Sequence, residues 1–173
     1  MKKFIAIAIA VLTVFSFTTV AFAESTTTLT TTVPDAEYTL NIPADQEIPF
    51  GATSTDIGNV TATNSKYFAV GKNLKITVTY DDFTCADAST TIPISIIMKG
   101  NMASIQDVEI ASGDILYFKG KTDGTLSERP FATLEQMHEF TNMILNVKST
   151  DWGKALAGDY TATITFTAEV VAA

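Results

Sequence analysis

The sequence predicts an all-β protein, an antiparallel β-sandwich of about eight to nine short strands with at most one short helical turn. Short segments of alternating apolar and polar residues recur roughly every ten residues along the chain. Glycine, proline, asparagine and aspartate separate these segments, as expected of turns. The sequence lacks the crossover helices that parallel strands require, and this excludes a parallel α/β fold.

The chain opens with a segment typical of a secretory signal peptide. Lys2-Lys3 precedes an apolar run over residues 4–14, and Ala21-Phe22-Ala23 forms a cleavage site with small residues at its first and third positions. We therefore expect residues 1–23 to be removed and the protein to be secreted or held at the cell surface. The alternative is a membrane anchor, because residues 4–23 are just long enough to span a bilayer.

Length and charge limit what the mature chain can be. Residues 24–173 would form one domain with a sizeable core. Without Lys2 and Lys3 the chain has 9 basic and 19 acidic residues, a net charge of −10. This charge disfavours nucleic acid and anionic membranes as partners.

A threonine-rich tail precedes the domain. We assign residues 24–36 to this tail and residues 37–173 to the β-sandwich. In the tract of residues 24–33, Leu29 and Val33 share one face of an extended chain, since they lie four residues apart. The tract is either a tether or a donor strand that pairs with a sheet edge, its own or that of a neighbouring copy.

Alternation and flanking turns place the strands in order. The strands are predicted at residues 38–42, 59–63, 74–80, 92–98, 105–110, 114–118, 143–147 and 160–170. Residues 92–98 are the predicted mate of 74–80, with Pro93 indicating an edge or a bulge. Residues 46–50 suit an edge, and residues 51–56 form a polar loop.

Residues 133–140 alone have helical spacing, over one or two turns. Residues 149–156 are predicted to lead into the last strand.

The terminal strand has the clearest alternation in the chain. Its predicted core face carries Tyr160, Ala162, Ile164, Phe166, Ala168 and Val170. Its predicted solvent face carries Thr161, Thr163, Thr165, Thr167 and Glu169. Threonine suits such a face, because its branched side chain favours extended backbone and its hydroxyl tolerates water.

Two parts of the sequence resemble immunoglobulin-like bacterial surface domains, including pilin-type and spore-coat-type sandwiches. Leu145-x-Val147, Asp151-Trp152 and residues 157–166 are similar to the closing hairpin of such domains. Residues 38–44 are similar to their opening strand. The resemblance implies an immunoglobulin-like sandwich, although the paired cysteines of the spore-coat pattern are missing.

The sequence offers little catalytic chemistry. His138 is the only histidine, and no nucleophile and orienting carboxylate accompany it, so we interpret it as a solvated surface residue. The aspartates at turns, Asp81, Asp82, Asp87, Asp114 and Asp123, could supply a hydrolase pair but are ordinarily solvated. We expect no enzyme activity, no cofactor and no bound metal.

Cys85 is the only cysteine, so no disulfide can form within the chain. It is either buried as a small apolar residue or paired between chains, and burial is the favoured interpretation.

Aromatic residues supply the one candidate for ligand binding. Trp152, Tyr117 and Tyr67 could stack on the sugar rings of an extracellular glycan. For Trp152 the alternative is that it covers the end of the core beside Tyr160.

The function expected is that of a secreted or cell-surface structural or adhesive protein, such as a pilin-like fibre subunit that associates through its tail or a sheet edge. The alternative is an extracellular carbohydrate-binding module.

Overall fold

The computed structural model describes residues 30–88, 90–102, 105–133 and 139–172. The chain divides into two compact units, residues 1–32 and 33–173, and every described strand lies in the second unit. No helix among the described residues is long and apolar enough to cross a membrane.

Twelve strands and one short helix make up the described part of the second unit. The strands are β1 (Glu37–Asn41), β2 (Ser54–Gly58), β3 (Thr61–Lys66), β4 (Lys72–Tyr80), β5 (Phe83–Cys85), β6 (Thr91–Ile92), β7 (Ser95–Gly100), β8 (Val108–Ile110), β9 (Asp114–Phe118), β10 (Phe140–Asn146), β11 (Tyr160–Thr161) and β12 (Ile164–Ala172). The helix is α1 (Ser149–Trp152). The strand number exceeds the predicted eight to nine because the predicted strands at residues 92–98 and 160–170 each form two strands, and because β2 and β5 were not predicted.

Two antiparallel sheets enclose a shared core, so the predicted all-β, sandwich-like class is confirmed. One sheet has the order β2-β10-β7-β8 and the other the order β12-β4-β9. The fully buried Leu74, Ile76 and Val78 of β4 belong to the same apolar cluster as Ile96 and Met98 of β7. Two smaller sheets, β1-β3 and β11-β5-β6, complete the fold.

The predicted strand at residues 74–80 is confirmed as β4, but its predicted mate is wrong. Residues 92–98 form two strands, β6 and β7, which flank Pro93 and belong to different sheets. Proline has no N–H to donate to a ladder, so the pairing is interrupted there. The neighbours of β4 are β9 and β12.

The terminal alternating segment also forms two strands. β11 pairs with β5, and β12 pairs with β4, with Ala162 and Thr163 between them. The predicted sides of Ile164 and Phe166 are confirmed, since both pack partly buried against the core while the neighbouring threonines are exposed. Ala168 and Val170 are exposed, so the predicted core face is covered only in the first half of β12.

In three regions the strands differ from the prediction. Residues 54–56, predicted as part of the polar loop 51–56, belong to β2, and the buried Ile57 is the only large apolar residue of this strand. Residues 46–50 form no strand. The strand predicted at residues 59–63 starts at Thr61 and continues to Lys66.

The described helix is not at the predicted position. Of the predicted helical segment, residues 134–138 lie outside the described residues, His138 among them, while Phe140 is buried at the start of β10. The helix α1 follows β10 instead. The carbonyl of Lys148 accepts hydrogen bonds from the backbone N–H groups of Asp151 and Trp152, which closes its single turn.

Candidate functional site

The strand β12 forms a long, regular edge of its sheet. Its nine residues pair with β4 without a register shift, from Ile164 opposite Tyr80 to Ala172 opposite Lys72. Within the described residues β12 has no partner on its other side. Such an edge presents free backbone N–H and C=O groups to a further strand.

The other edges of the two large sheets are shorter, irregular or partly covered. On β9, Tyr117 exchanges two backbone hydrogen bonds of 2.8 Å with Phe131, which occupies part of that edge. The edge strand β8 has three residues, and β2 has a register irregularity against β10. Proteins block edges with prolines, bulges and charges. In the described part of β12 the only charged residue is Glu169.

An apolar groove runs beside the first half of β12. This edge groove has a volume of about 290 Å³. Ile164 and Phe166 form one wall, and the segment of residues 42–48 forms another. The remaining lining residues are Ile57, Phe83, Ile94, Leu145 and Ala162. A strand that added to β12 would direct alternate side chains into this groove.

The outer face of β12 and its neighbour β4 is polar. The carboxylate of Glu169 in β12 lies 2.6 Å from the ammonium of Lys75 in β4, and this hydrogen bond raises the pKa of Lys75. On the inner face, burial raises the pKa of the Tyr80 phenol, whose hydroxyl donates to the carbonyl of Ile110 at 2.8 Å. Both shifts favour the protonated form, so the Lys75 ammonium and the neutral Tyr80 phenol persist to higher pH than in the free side chains.

Of the two predicted donor-strand residues, one is described. Val33 is 64% exposed and lies outside any strand, as do the three exposed threonines before it. Leu29 lies outside the described residues. The described part of the tail is thus not engaged in a sheet ladder.

The three predicted stacking residues do not come together. Tyr117 lines a groove of about 470 Å³ between β8 and β9. Tyr67 follows β3 with a φ of +63° and is 45% exposed, with the Lys66 ammonium 5.3 Å from its ring centroid. Trp152 ends α1 and packs, partly buried, against the core. Among the described cavities, none is lined by two of these three residues.

Trp152 instead groups with two aromatic residues that were not predicted as site residues. Its ring centroid lies 5.4 Å from that of Phe50, and the planes meet at 66°. Phe50, Trp152 and Tyr160 line the same two hollows, and we call these three residues the aromatic wall. An apolar aromatic residue in the turn Pro49-Phe50-Gly51 was the sequence signal for this wall.

The described residues contain no group of three histidine, cysteine, aspartate or glutamate side chains placed to hold a metal ion.

Cys85 is buried in β5, which confirms its predicted burial. Asp123 accepts hydrogen bonds from the backbone and hydroxyl of Thr125, and these lower the pKa of its carboxyl group.

No family model, curated protein or solved structure matches this chain.

Proposed function

We propose that this protein is an exported surface protein that builds fibres by β-strand addition between copies, in a structural or adhesive role. The observation that carries the proposal is the edge of β12, nine residues long, regular in register and without a second partner in the described part of the chain. Soluble proteins ordinarily protect such an edge, because it is a template for pairing with another chain.

The occupant that we propose for this edge is the tract of residues 24–33 from the next copy. Its ten residues match the nine of β12 in length. Leu29 and Val33 stand about 13 Å apart on one face of an extended chain, at roughly 3.3 Å per residue. They would enter the edge groove beside Ile164 and Phe166, while the threonines between them would complete the ladder.

The arrangement predicts open chains of molecules. The donor tract precedes β1, whereas the acceptor edge is the last strand of the domain. Donor and acceptor are therefore different surfaces, and the contact is heterologous. A heterologous contact that does not close into a ring extends into a filament. Such filaments suit a fibre subunit at a cell surface.

Deletion of the tract and a pair of lysine variants test the proposal. Electron microscopy and light scattering of residues 24–173 should show filaments, and residues 34–173 should remain monomeric. Ala168→Lys places a charge on the groove side of β12 and should abolish assembly. Thr167→Lys adds the same charge on the outer face and should leave assembly intact. Both positions are exposed in the isolated domain, so both variants should fold.

Two results would contradict the proposal. One is a protein of residues 24–173 that stays monomeric at high concentration. The other is equal assembly of the Ala168→Lys and Thr167→Lys variants, since strand addition beside the edge groove distinguishes the two faces.

A further inference from the structure

The ring of Phe50 lies exposed at the tip of a tight turn. Its side chain is 81% exposed. The turn is closed by a 3.0 Å hydrogen bond from the Ala52 N–H to the Pro49 carbonyl, and Gly51 has a φ of +81°. This is the signature of a type II turn, which needs glycine at its third position but accepts most residues at its second. The turn itself therefore does not require an aromatic residue at position 50.

One aromatic contact, with Trp152, supports this ring from the side of the core. Trp152 meets Phe50 edge to face, and its indole N–H donates to the Ala52 carbonyl at 2.8 Å. On its other side Trp152 lies 6.3 Å from the ring of the buried Phe83. An exposed ring that is fixed in advance loses little conformational entropy when a ligand packs against it.

The third member of the aromatic wall is also fixed. The hydroxyl of Tyr160 accepts a hydrogen bond from the Leu156 N–H at 3.1 Å and shares one of 2.7 Å with the hydroxyl of Thr90. Hollows of about 480 and 220 Å³ lie beside the wall. The larger one is within the range of about 300 to 1,000 Å³ that is usual for small-molecule sites.

Polar groups complete the larger hollow. Gln46, Glu47 and Asp159 line it together with the aromatic wall. All three are exposed, and within the described residues the carboxylates of Glu47 and Asp159 form no hydrogen bond or ion pair. The hollow thus combines a rigid apolar surface with free hydrogen-bond acceptors.

We infer that this hollow binds a neutral pyranose-containing oligosaccharide. The C–H face of a pyranose ring is apolar and can pack on Phe50, while its hydroxyls can donate to Glu47 and Asp159. An anionic ligand would be repelled by the two carboxylates. A small number of placed polar groups beside aromatic side chains is the usual composition of a selective small-molecule site. The inference is independent of fibre formation.

Substitution of Phe50 tests the inference against a closely matched control. Val70 is also 81% exposed, and its turn has the same construction, with Gly71 at a φ of +77° and a 3.0 Å hydrogen bond from Lys72 to Ala69. Calorimetric titrations would use neutral β-linked hexasaccharides of glucose, xylose and N-acetylglucosamine. Phe50→Ala should weaken binding of the preferred hexasaccharide by about tenfold or more, whereas Val70→Ala should not change it. Phe50→Tyr keeps the flat ring and should retain binding.

Further variants separate sugar recognition from simple charge attraction. Glu47→Gln and Asp159→Asn should each weaken binding of the same hexasaccharide, with little dependence on salt. The Ala168→Lys variant should bind it normally, so that failure of fibre formation and failure of sugar binding can be told apart. The inference is overturned if none of the three hexasaccharides binds, or if Phe50→Ala binds as the wild type does. Tighter binding of a cationic glucosamine hexasaccharide, lost in Asp159→Asn but kept in Phe50→Ala, would also overturn it.

Discussion

At the scale of single residues, close packing surrounds the only thiol. Gly158 stands beside Cys85, and a Cβ atom at Gly158 would lie only 2.5 Å from the sulfur. Cys85 is itself paired with Tyr160 in the β5–β11 ladder. The glycine also has a φ of +153°, where side chains are rarely found. The contact therefore joins the lead-in of β11 to the core.

We predict that Gly158→Ala lowers the free energy of unfolding by about 1 to 3 kcal/mol, because the added methyl group forces the sulfur or the backbone to move. Gly153→Ala is the control, since a Cβ atom there would meet nothing closer than 3.6 Å and φ is −67°. Thermal melts should therefore separate the two variants. In the wild type Cys85 should react slowly with a thiol reagent, and Gly158→Ala should speed the reaction. Equal melting temperatures for the two variants would show that the chain adjusts at no cost.

At the scale of elements, β12 tests whether alternation alone identifies the covered face. Phe166 packs against the core, while the neighbouring Thr165 is exposed. We predict that Phe166→Asp lowers the free energy of unfolding by about 2 to 4 kcal/mol, because it removes apolar contacts and desolvates a charge. Thr165→Asp should change it by about 0.5 kcal/mol or less. Urea unfolding of the domain, residues 34–173, would measure both. A similar loss in both variants would mean that both faces of β12 are covered.

Strands with strong alternation could be predicted from the sequence, but their partners could not. β4 was identified because Leu74, Ile76 and Val78 alternate with polar residues, and this period is a local property. Its pairing with β9 and β12 depends on contacts between distant segments, which no period encodes. β2 was not predicted, because its one buried residue is Ile57 and a single apolar residue shows no alternation; the strand is paired with β10.

The candidate sites likewise depend on contacts between distant segments, which the sequence pattern does not predict. Trp152 was identified because large aromatic residues near turns are candidates for stacking. Its alternative position beside Tyr160 was also predicted, whereas its contact with Phe50 was not, because Phe50 lies far from both residues in the chain and meets them only after folding. The free edge of β12 is likewise a property of the whole sheet order and not of the strand. Alternation predicted the side of Phe166 but gave no sign that the strand lies at an edge.

At the scale of the whole molecule, net charge opposes the proposed assembly. If cleavage follows Ala23, each copy has 9 basic and 19 acidic residues, a net charge of −10. Copies joined through β12 must bring these charges close together. Electrostatic repulsion between them extends over about 30 Å at 0.01 M salt but only about 8 Å at 0.15 M salt. The proposed contact itself is made by backbone hydrogen bonds and apolar side chains, which salt screens little.

We therefore predict that the critical concentration for filaments falls severalfold between about 0.01 and 0.15 M sodium chloride, the range over which screening becomes short. Light scattering of residues 24–173 at a series of protein concentrations would measure it. Thr167→Lys makes each copy one unit less negative and should show a weaker dependence on salt, whereas Ala168→Lys, with the same charge, should remain unassembled throughout. Ion pairs between copies would give the opposite trend, with filaments dissolving as salt is added, and strand addition through an apolar groove would then be the wrong account of assembly.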